Sequence, residues 1–255
     1  MTMLETIAVA FSMFSAIPMP QFLWNEKNMR YALCAFPLIG AVIGGICWGA
    51  WSLCGLLGLP NLLRGAILTL IPVLVTGGIH LDGYSDTCDA LASHASQEKK
   101  LEILKDPHVG SFAVIRICSY FVITLALWSA LKTFPWAAVL LGFCMSRTLS
   151  GLAVASFPLA KNTGLAHTFA QAADQKRVRR VLIVLDAVLF AGMCLCGYSG
   201  ILMALTAHVV FGYYYRMSKR QFGGLSGDLA GWFLQTAELW MLLVLIIAQY
   251  GEFLI

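Results

Sequence analysis

Long apolar runs alternate with short polar segments along this chain of 255 residues. A helix needs about 20 residues to cross the apolar core of a bilayer, and seven runs approach or exceed that length. Because the runs are continuous rather than alternating, they predict helices and not the strands of a membrane barrel. We therefore expect an all-α, polytopic transmembrane bundle of about seven spans, at residues 32–57, 63–81, 111–131, 135–157, 181–197, 200–216 and 232–250.

The N-terminal segment does not fit a full span. Residues 1–17 are apolar but short, and Pro18 and Pro20 end any helix there. The segment carries Glu5 and lacks the basic start of a secretory signal peptide. We expect an interfacial or re-entrant helix, or one packed against the bundle. No separate soluble stretch follows, so residues 1–255 are predicted to form a single integral-membrane domain.

Composition and charge support this interpretation. Hydrophobic residues make up 59% of the chain and charged residues only 12%, about half the share in a soluble domain. Of the 17 Lys and Arg residues, 13 precede the first run or follow the second, fourth and sixth. The positive-inside rule then places these segments in the cytoplasm, in a multi-pass protein of the cytoplasmic membrane. The net charge of +4 is explained by topology, and no nucleic-acid partner is expected.

The stretch GGIHLDGYSDTCDALASH, residues 77–94, concentrates carboxylates directly after an apolar run. Asp82, Asp86 and Asp89 stand at i, i+4 and i+7, which places them on one face of a helix. Three such carboxylates repel one another, and a divalent cation such as Mg²⁺ or Mn²⁺ relieves the repulsion. The alternative is a solvated acidic helix end. The spacing, with His80 and Asp82 at the membrane boundary, favours a metal site.

Two further polar loops are predicted on the same side of the membrane. In LKDPHVGSF, residues 104–112, Lys105 and His108 are candidates for binding phosphate and Asp106 for completing the metal shell. A polar turn that caps the next helix is an equal alternative. In GGLSGDLAG, residues 223–231, Asp228 is a candidate metal ligand or general base, with a flexible connection as the alternative.

Charged residues inside apolar runs are the remaining candidates. Glu238 and Arg147 lie within predicted spans, where ionisable side chains are usually functional. Lys161 follows the fourth run closely enough to contact a phosphate. Together these patterns predict metal-assisted phosphoryl or nucleotidyl chemistry at the cytoplasmic face of the membrane.

Four stretches, in order, resemble the cobalamin synthase family, the adenosylcobinamide-GDP ribazoletransferases. GGIHLDGYSDTCDAL resembles the family signature H-L-D-G-x-x-D-T-x-D-G-L, and KDPHVGSF resembles its K-D-x-R-x-G-x-F segment. FSAIPMP with FPLIGAVIGG resembles the N-terminal region, and GGLSGDLAGWFLQTAEL the C-terminal one. The chain departs from the family pattern at Ala90, where Gly is usual, at His108, where Arg is usual, and at Ala113, where Gly is common.

The resemblance implies a Mg²⁺-dependent transferase. It would join adenosylcobinamide-GDP to α-ribazole or its 5′-phosphate, giving adenosylcobalamin or its 5′-phosphate and releasing GMP. The whole chain would be one catalytic domain, which could form homo-oligomers or associate with other enzymes of cobalamin assembly. We predict catalytic roles for Asp82, Asp86, Asp228 and Glu238, metal ligation by Asp82, Asp86, Asp89 and Asp106, and substrate binding by His80, Lys105, His108, Arg147 and Lys161.

Two other functions are compatible with clustered aspartates in a membrane protein. A phosphotransferase of the CDP-alcohol type carries the signature D-G-x-x-A-R, whereas here residues 84–87 after Gly83 are Tyr-Ser-Asp-Thr. A cation transporter would place carboxylates toward both sides of the membrane, whereas these cluster on one side. Both alternatives are therefore less favoured than the ribazoletransferase.

Overall fold

The computed structural model describes residues 3–20, 22, 25–160 and 164–251. This part of the chain is helical, and its only strand-like feature is an isolated bridge between Leu159 and Leu225. The all-α prediction is confirmed. The helices are α1 (Met3–Phe14), α2 (Glu26–Met29), α3 (Ala32–Leu56), α4 (Asn61–Thr76), α5 (Ile79–Ala92), α6 (Gln97–Ile103), α7 (Ser111–Ala130), α8 (Trp136–Val154), α9 (Leu165–Ala172), α10 (Gln175–Leu195), α11 (Gly197–Phe222) and α12 (Gly227–Gly251).

Four helices are long and apolar enough to cross a membrane, namely α3, α7, α8 and α12. The bent pair formed by α4 and α5 raises the number to five if it is one broken span. The predicted fifth and sixth runs are also helical, as α10 and α11, but α10 carries Arg179, Arg180 and Asp186. The structure thus supports a membrane protein, while the number of seven spans stays a prediction.

The second predicted run, residues 63–81, is not one straight helix. α4 ends at Thr76, and the chain turns through Gly77 and Gly78, with φ of 64° and 81°. Glycine adopts such left-handed backbone conformations without steric cost, so the pair permits a sharp turn. The axes of α4 and α5 differ by 96°. Residues 79–81 therefore begin a separate helix, and the predicted continuous run was wrong at its end.

The N-terminal helix α1 packs against the bundle. Val9 and Ala10 on α1 are 1% and 0% exposed, and the backbone N–H of Ala16 donates to the carbonyl of Val75 at 2.8 Å. This agrees with the expectation of a short helix packed against the spans. It also brings Phe14, at the end of α1, to the interior.

The outer surface of α7 is mostly apolar, although Arg116 and Ser119 are also exposed. Val114, Ile115, Val122 and Ile123 are exposed by 46–66%. An apolar surface of this kind suits contact with lipid chains rather than water.

Candidate active site

The site is organised by a close crossing of α5 and α12. A Cβ atom placed on Gly83 would lie 2.8 Å from the Cα of Asp228, and one on Gly231 would lie 2.7 Å from the carbonyl oxygen of His80. Real Cβ atoms do not approach other atoms so closely, so each position requires glycine for this packing. The crossing brings Asp228, in the first turn of α12, next to the aspartates of α5.

A cavity of about 520 Å³ opens beside this crossing. Residues from α1, α3, α5, α8, α9 and α12 line it, together with the loop after α6. Four of the predicted site residues are brought together in its wall: His80, Asp82, Lys105 and Asp228.

The aspartates form a like-charged cluster. Asp86 lies within electrostatic range of Asp82, Asp228 and Asp89, each of which opposes its negative charge. Among the described residues, none of the three aspartates on α5 takes part in an ion pair. Repulsion within such a cluster is relieved when a cation binds.

The donor set fits a hard divalent cation. Within the described ranges, no group of three or more His, Cys, Asp or Glu side chains has the arrangement of a ready metal site. Mg²⁺, however, is often bound by one or two carboxylates and completes its shell with water and substrate phosphate. Asp82 and Asp228 supply carboxylates to one cavity, so the chemistry fits although no complete protein cage is formed.

Asp89 lies in a different environment from Asp82, at the start of α7. Its carboxylate oxygens lie against Gly110, the N-cap of α7, and leave no space there for a side chain. A negative charge near the N-terminus of a helix is favourable, because the backbone dipole is positive at that end. The contact joins α5 to the start of α7. Ligation of a metal by Asp89 stays a prediction.

Asp106 and His108 pair with each other on the surface. The backbone N–H of His108 donates to Oδ1 of Asp106 at 2.9 Å, and the imidazole Nδ1 is 2.7 Å from the same oxygen. These hydrogen bonds, the backbone one first, lower the pKa of Asp106. Neither residue is among those that line the cavity, whereas neighbouring Lys105 is. The roles of Asp106 in the metal shell and of His108 in substrate binding stay predictions.

Arg147 and Glu238 form a buried ion pair between α8 and α12. Their side chains are 1% and 9% exposed, and the guanidinium Nη1 donates to Glu238 Oε1. Ser146 Oγ donates to the same carboxylate oxygen at 3.0 Å, and Arg147 Nη1 is 2.9 Å from that hydroxyl. Neither charged residue is among those lining the cavity. Their predicted roles in catalysis and phosphate binding stay predictions, and Lys161 lies outside the described residues.

Sequence reasoning missed the apolar wall of the cavity. Phe14, Phe36 and Phe169 line it, and Ser226 adds a hydroxyl beside Asp228. A phenylalanine within an apolar run cannot be distinguished by pattern from one that packs in the core. A signal was present nonetheless, because FSAIPMP begins at Phe14 and FPLIGAVIGG begins at Phe36.

Comparison with known proteins bears on the whole chain. A family model described as cobalamin-5-phosphate synthase matches residues 6–246. An adenosylcobinamide-GDP ribazoletransferase of Lachnoclostridium phytofermentans is 45% identical over 252 residues, which are 98% of this chain and 96% of that protein. A protein of the same name from Desulfitobacterium hafniense is 31% identical, over 95% of this chain and 97% of that protein. One from Clostridium botulinum is 30% identical, over 91% of this chain and 93% of that protein. No solved structure matches.

Proposed function

The chain belongs to the cobalamin-5-phosphate synthase family, and on this premise we propose that it is an adenosylcobinamide-GDP ribazoletransferase. Its substrates would be adenosylcobinamide-GDP and α-ribazole or the 5′-phosphate of α-ribazole. The observation that carries the proposal is the 45% identity to a relative of that name over nearly the full length of both chains. The cavity with Asp82, Lys105 and Asp228 in its wall supports it, because these groups suit phosphate chemistry.

The reaction exchanges one phosphorus–oxygen bond for another. A hydroxyl oxygen of α-ribazole attacks the phosphorus that bears the cobinamide, and a new P–O bond forms. The P–O bond between this phosphorus and GMP breaks, and GMP departs with the bonding electron pair. The hydroxyl must lose its proton. We assign the acceptance of that proton to Asp228, whose carboxylate lies in the cavity wall and is positioned by the glycine crossing.

The other charged residues of the site would bind the charged part of the substrate. Asp82 in the cavity wall and Asp86, one helical turn further along α5, would hold a Mg²⁺ ion, which supplies charge neutralisation for the diphosphate when it is bound. Lys105 brings an ammonium group to the same cavity and would contact a phosphate oxygen. Positioning and charge complementarity of this kind account for most catalysis of phosphoryl transfer.

The proposal includes a location. The basic residues of α6 and of the following loop, Lys99, Lys100 and Lys105, precede α7 on the chain and lie on the side predicted to face the cytoplasm. We therefore place the active site at the cytoplasmic face of the cytoplasmic membrane. Cysteine labelling of an introduced Glu102→Cys in intact and opened cells tests this. Labelling of intact cells by an impermeant reagent would contradict it.

The activity test uses purified protein in lipid nanodiscs with adenosylcobinamide-GDP, α-ribazole and Mg²⁺. We expect release of GMP together with a corrinoid product that contains the ribazole, loss of both with a chelator, and recovery when Mg²⁺ is restored. Absence of GMP release from correctly folded protein would overturn the proposal. Cation flux in proteoliposomes without GMP release would favour the transporter alternative.

A further inference from the structure

The residues that line the cavity form two chemically different sets, called here the polar wall and the apolar wall. Its polar wall holds Asp82, Lys105 and Asp228, to which the proposed function assigns the phosphate chemistry. Its other wall is apolar and aromatic, with Phe14 from α1 and Phe169 from α9 among its members. Phosphate chemistry does not require an aromatic wall, so this wall indicates a second part of a ligand.

The aromatic residues form one connected cluster. The ring centroids of Phe14 and Phe36 are 4.4 Å apart, and those of Phe14 and Phe169 are 5.2 Å apart. The Phe36 ring centroid is 5.7 Å from that of His80, which continues the cluster onto α5. Rings at these separations form a surface against which a flat aromatic group can pack.

His80 adds a single polar group to this wall. Its side chain lines the cavity, the residue is only 6% exposed, and Nε2 has no hydrogen-bond partner among the described residues. A buried polar atom without a partner is unfavourable, so a ligand that pairs with Nε2 gains binding free energy. The lining of the cavity therefore combines aromatic rings with a histidine whose Nε2 is buried without a hydrogen-bond partner among the described residues.

We infer that this cavity is the binding site of α-ribazole, with the benzimidazole base against the phenylalanine cluster and its free ring nitrogen paired with Nε2 of His80. The inference rests on the proposed function. The base is flat and largely apolar and has one free ring nitrogen, which matches the one unused atom of the wall. The ribose, attached to the base, then extends toward Asp82 and Asp228, where its hydroxyl reacts.

The size of the cavity and the hydrogen-bonding groups of the bases distinguish α-ribazole from adenosylcobinamide-GDP as its ligand. A cavity of about 520 Å³ lies within the usual range for one small ligand. The corrinoid macrocycle is far larger than a nucleoside, so it must contact the protein elsewhere. Guanine presents several hydrogen-bonding groups along its edges, and pairing them would need the carboxylates, Ser150 and Ser226 of the lining rather than the phenylalanine cluster.

The test measures α-ribazole binding directly, without turnover. Equilibrium dialysis of labelled α-ribazole against the nanodisc protein would be compared for the wild type, Phe14→Leu and His80→Phe. We expect Kd to rise about tenfold for Phe14→Leu, because base stacking is lost. For His80→Phe, which keeps a ring but removes the nitrogen, we expect a rise of about fivefold. The KM for α-ribazole should rise in parallel, with the KM for adenosylcobinamide-GDP unchanged.

A matched control is Phe190→Leu, a half-buried phenylalanine of α10 that packs against His208 and is not among the residues lining the cavity. It should bind α-ribazole as the wild type does. Unchanged binding in both cavity variants, or a rise confined to the KM for adenosylcobinamide-GDP, would overturn the inference while the proposed function stands. Wild-type protein that binds α-ribazole but releases no GMP would contradict the proposed function and leave this site assigned.

Discussion

Two groups of acidic side chains lie in this bundle and are compensated in opposite ways. Glu238 is buried beside Arg147 and receives a further hydrogen bond from Ser146. Asp82 and Asp86 face other carboxylates and form no ion pair within the described part of the chain. The first group satisfies its charges internally, whereas the second leaves negative charge to be neutralised by something that binds.

We propose that the buried pair serves the structure and the like-charged cluster serves the reaction, while the predicted roles of Glu238 and Arg147 in the reaction stay predictions. A buried ion pair with good geometry fixes two helices and has no need of a ligand. A like-charged cluster at a cavity destabilises the empty protein, and such strain is typical of functional sites. The sequence patterns marked both groups as functional candidates. The aspartates were marked by their spacing on one helix face, and Glu238 with Arg147 because charges inside apolar runs are unusual. Only their surroundings tell the two apart.

The largest expected effect is on turnover when the like-charged cluster is broken. Asp82→Ala should lower the rate of GMP release by about a thousandfold or more, since charge stabilisation in phosphoryl transfer is lost. Glu102→Ala removes an exposed carboxylate that pairs with Lys99, and turnover should be unchanged. Near-normal turnover in Asp82→Ala would exclude the cluster from the reaction.

Breaking the buried pair should act on stability instead. Glu238→Gln leaves the Arg147 guanidinium buried without a counter-charge, so the free energy of unfolding should fall by about 3 kcal/mol or more. Denaturant titration in detergent micelles measures this. The double variant Arg147→Met with Glu238→Leu should recover much of the loss.

In the like-charged cluster the same measurement should give the opposite sign. Asp86→Asn should raise the free energy of unfolding of the metal-free protein, and a lower value would remove the distinction between the cluster and the buried pair.

The crossing of α5 and α12 is tested by adding one methyl group. Gly83→Ala places a Cβ 2.8 Å from Asp228 Cα, so the helices must separate. We expect a loss of about 1–3 kcal/mol in unfolding free energy and a lower rate of GMP release. Gly49→Ala on α3 is the matched control, because nothing lies within 4 Å of its added Cβ. Equal effects of the two substitutions would show that the crossing does not position Asp228.

The smallest expected effect concerns a charge that is compensated at the surface. Asp174 caps α10, and the backbone N–H of Arg177, followed by the Arg30 side chain, lowers its pKa. The stabilisation is present above about pH 4, the ordinary value for Asp, and is lost as pH falls through the lowered pKa. Hydrogen exchange of residues 175–180, corrected for intrinsic rates, should rise modestly on acidification. Asp174→Asn should show little of this pH dependence.

The fold class, and the placement of part of the candidate site in one cavity, could be predicted because their signals are local. Apolar runs mark helices, and the spacing of Asp82, Asp86 and Asp89 marks one helix face. The turn at Gly77 and Gly78 was missed, although two adjacent glycines are a recognised signal for it. The pairing of Arg147 with Glu238 could not be found, because it depends on how α8 and α12 pack, and no local pattern encodes that contact.

The 96° turn between α4 and α5 also separates the tilt of α4 from the orientation of the carboxylates on α5, which a straight helix would couple. Bilayers differ in thickness, and a spanning helix adjusts its tilt to match its apolar length to theirs. If α4 and α5 were one straight helix, a change of tilt would displace the side chains near its end. Here Gly77 and Gly78 end α4, and the contact of Gly83 with α12 sets the orientation of the carboxylates on α5. On the proposed function, the alignment of the catalytic carboxylates therefore does not depend on the tilt of α4 in the membrane.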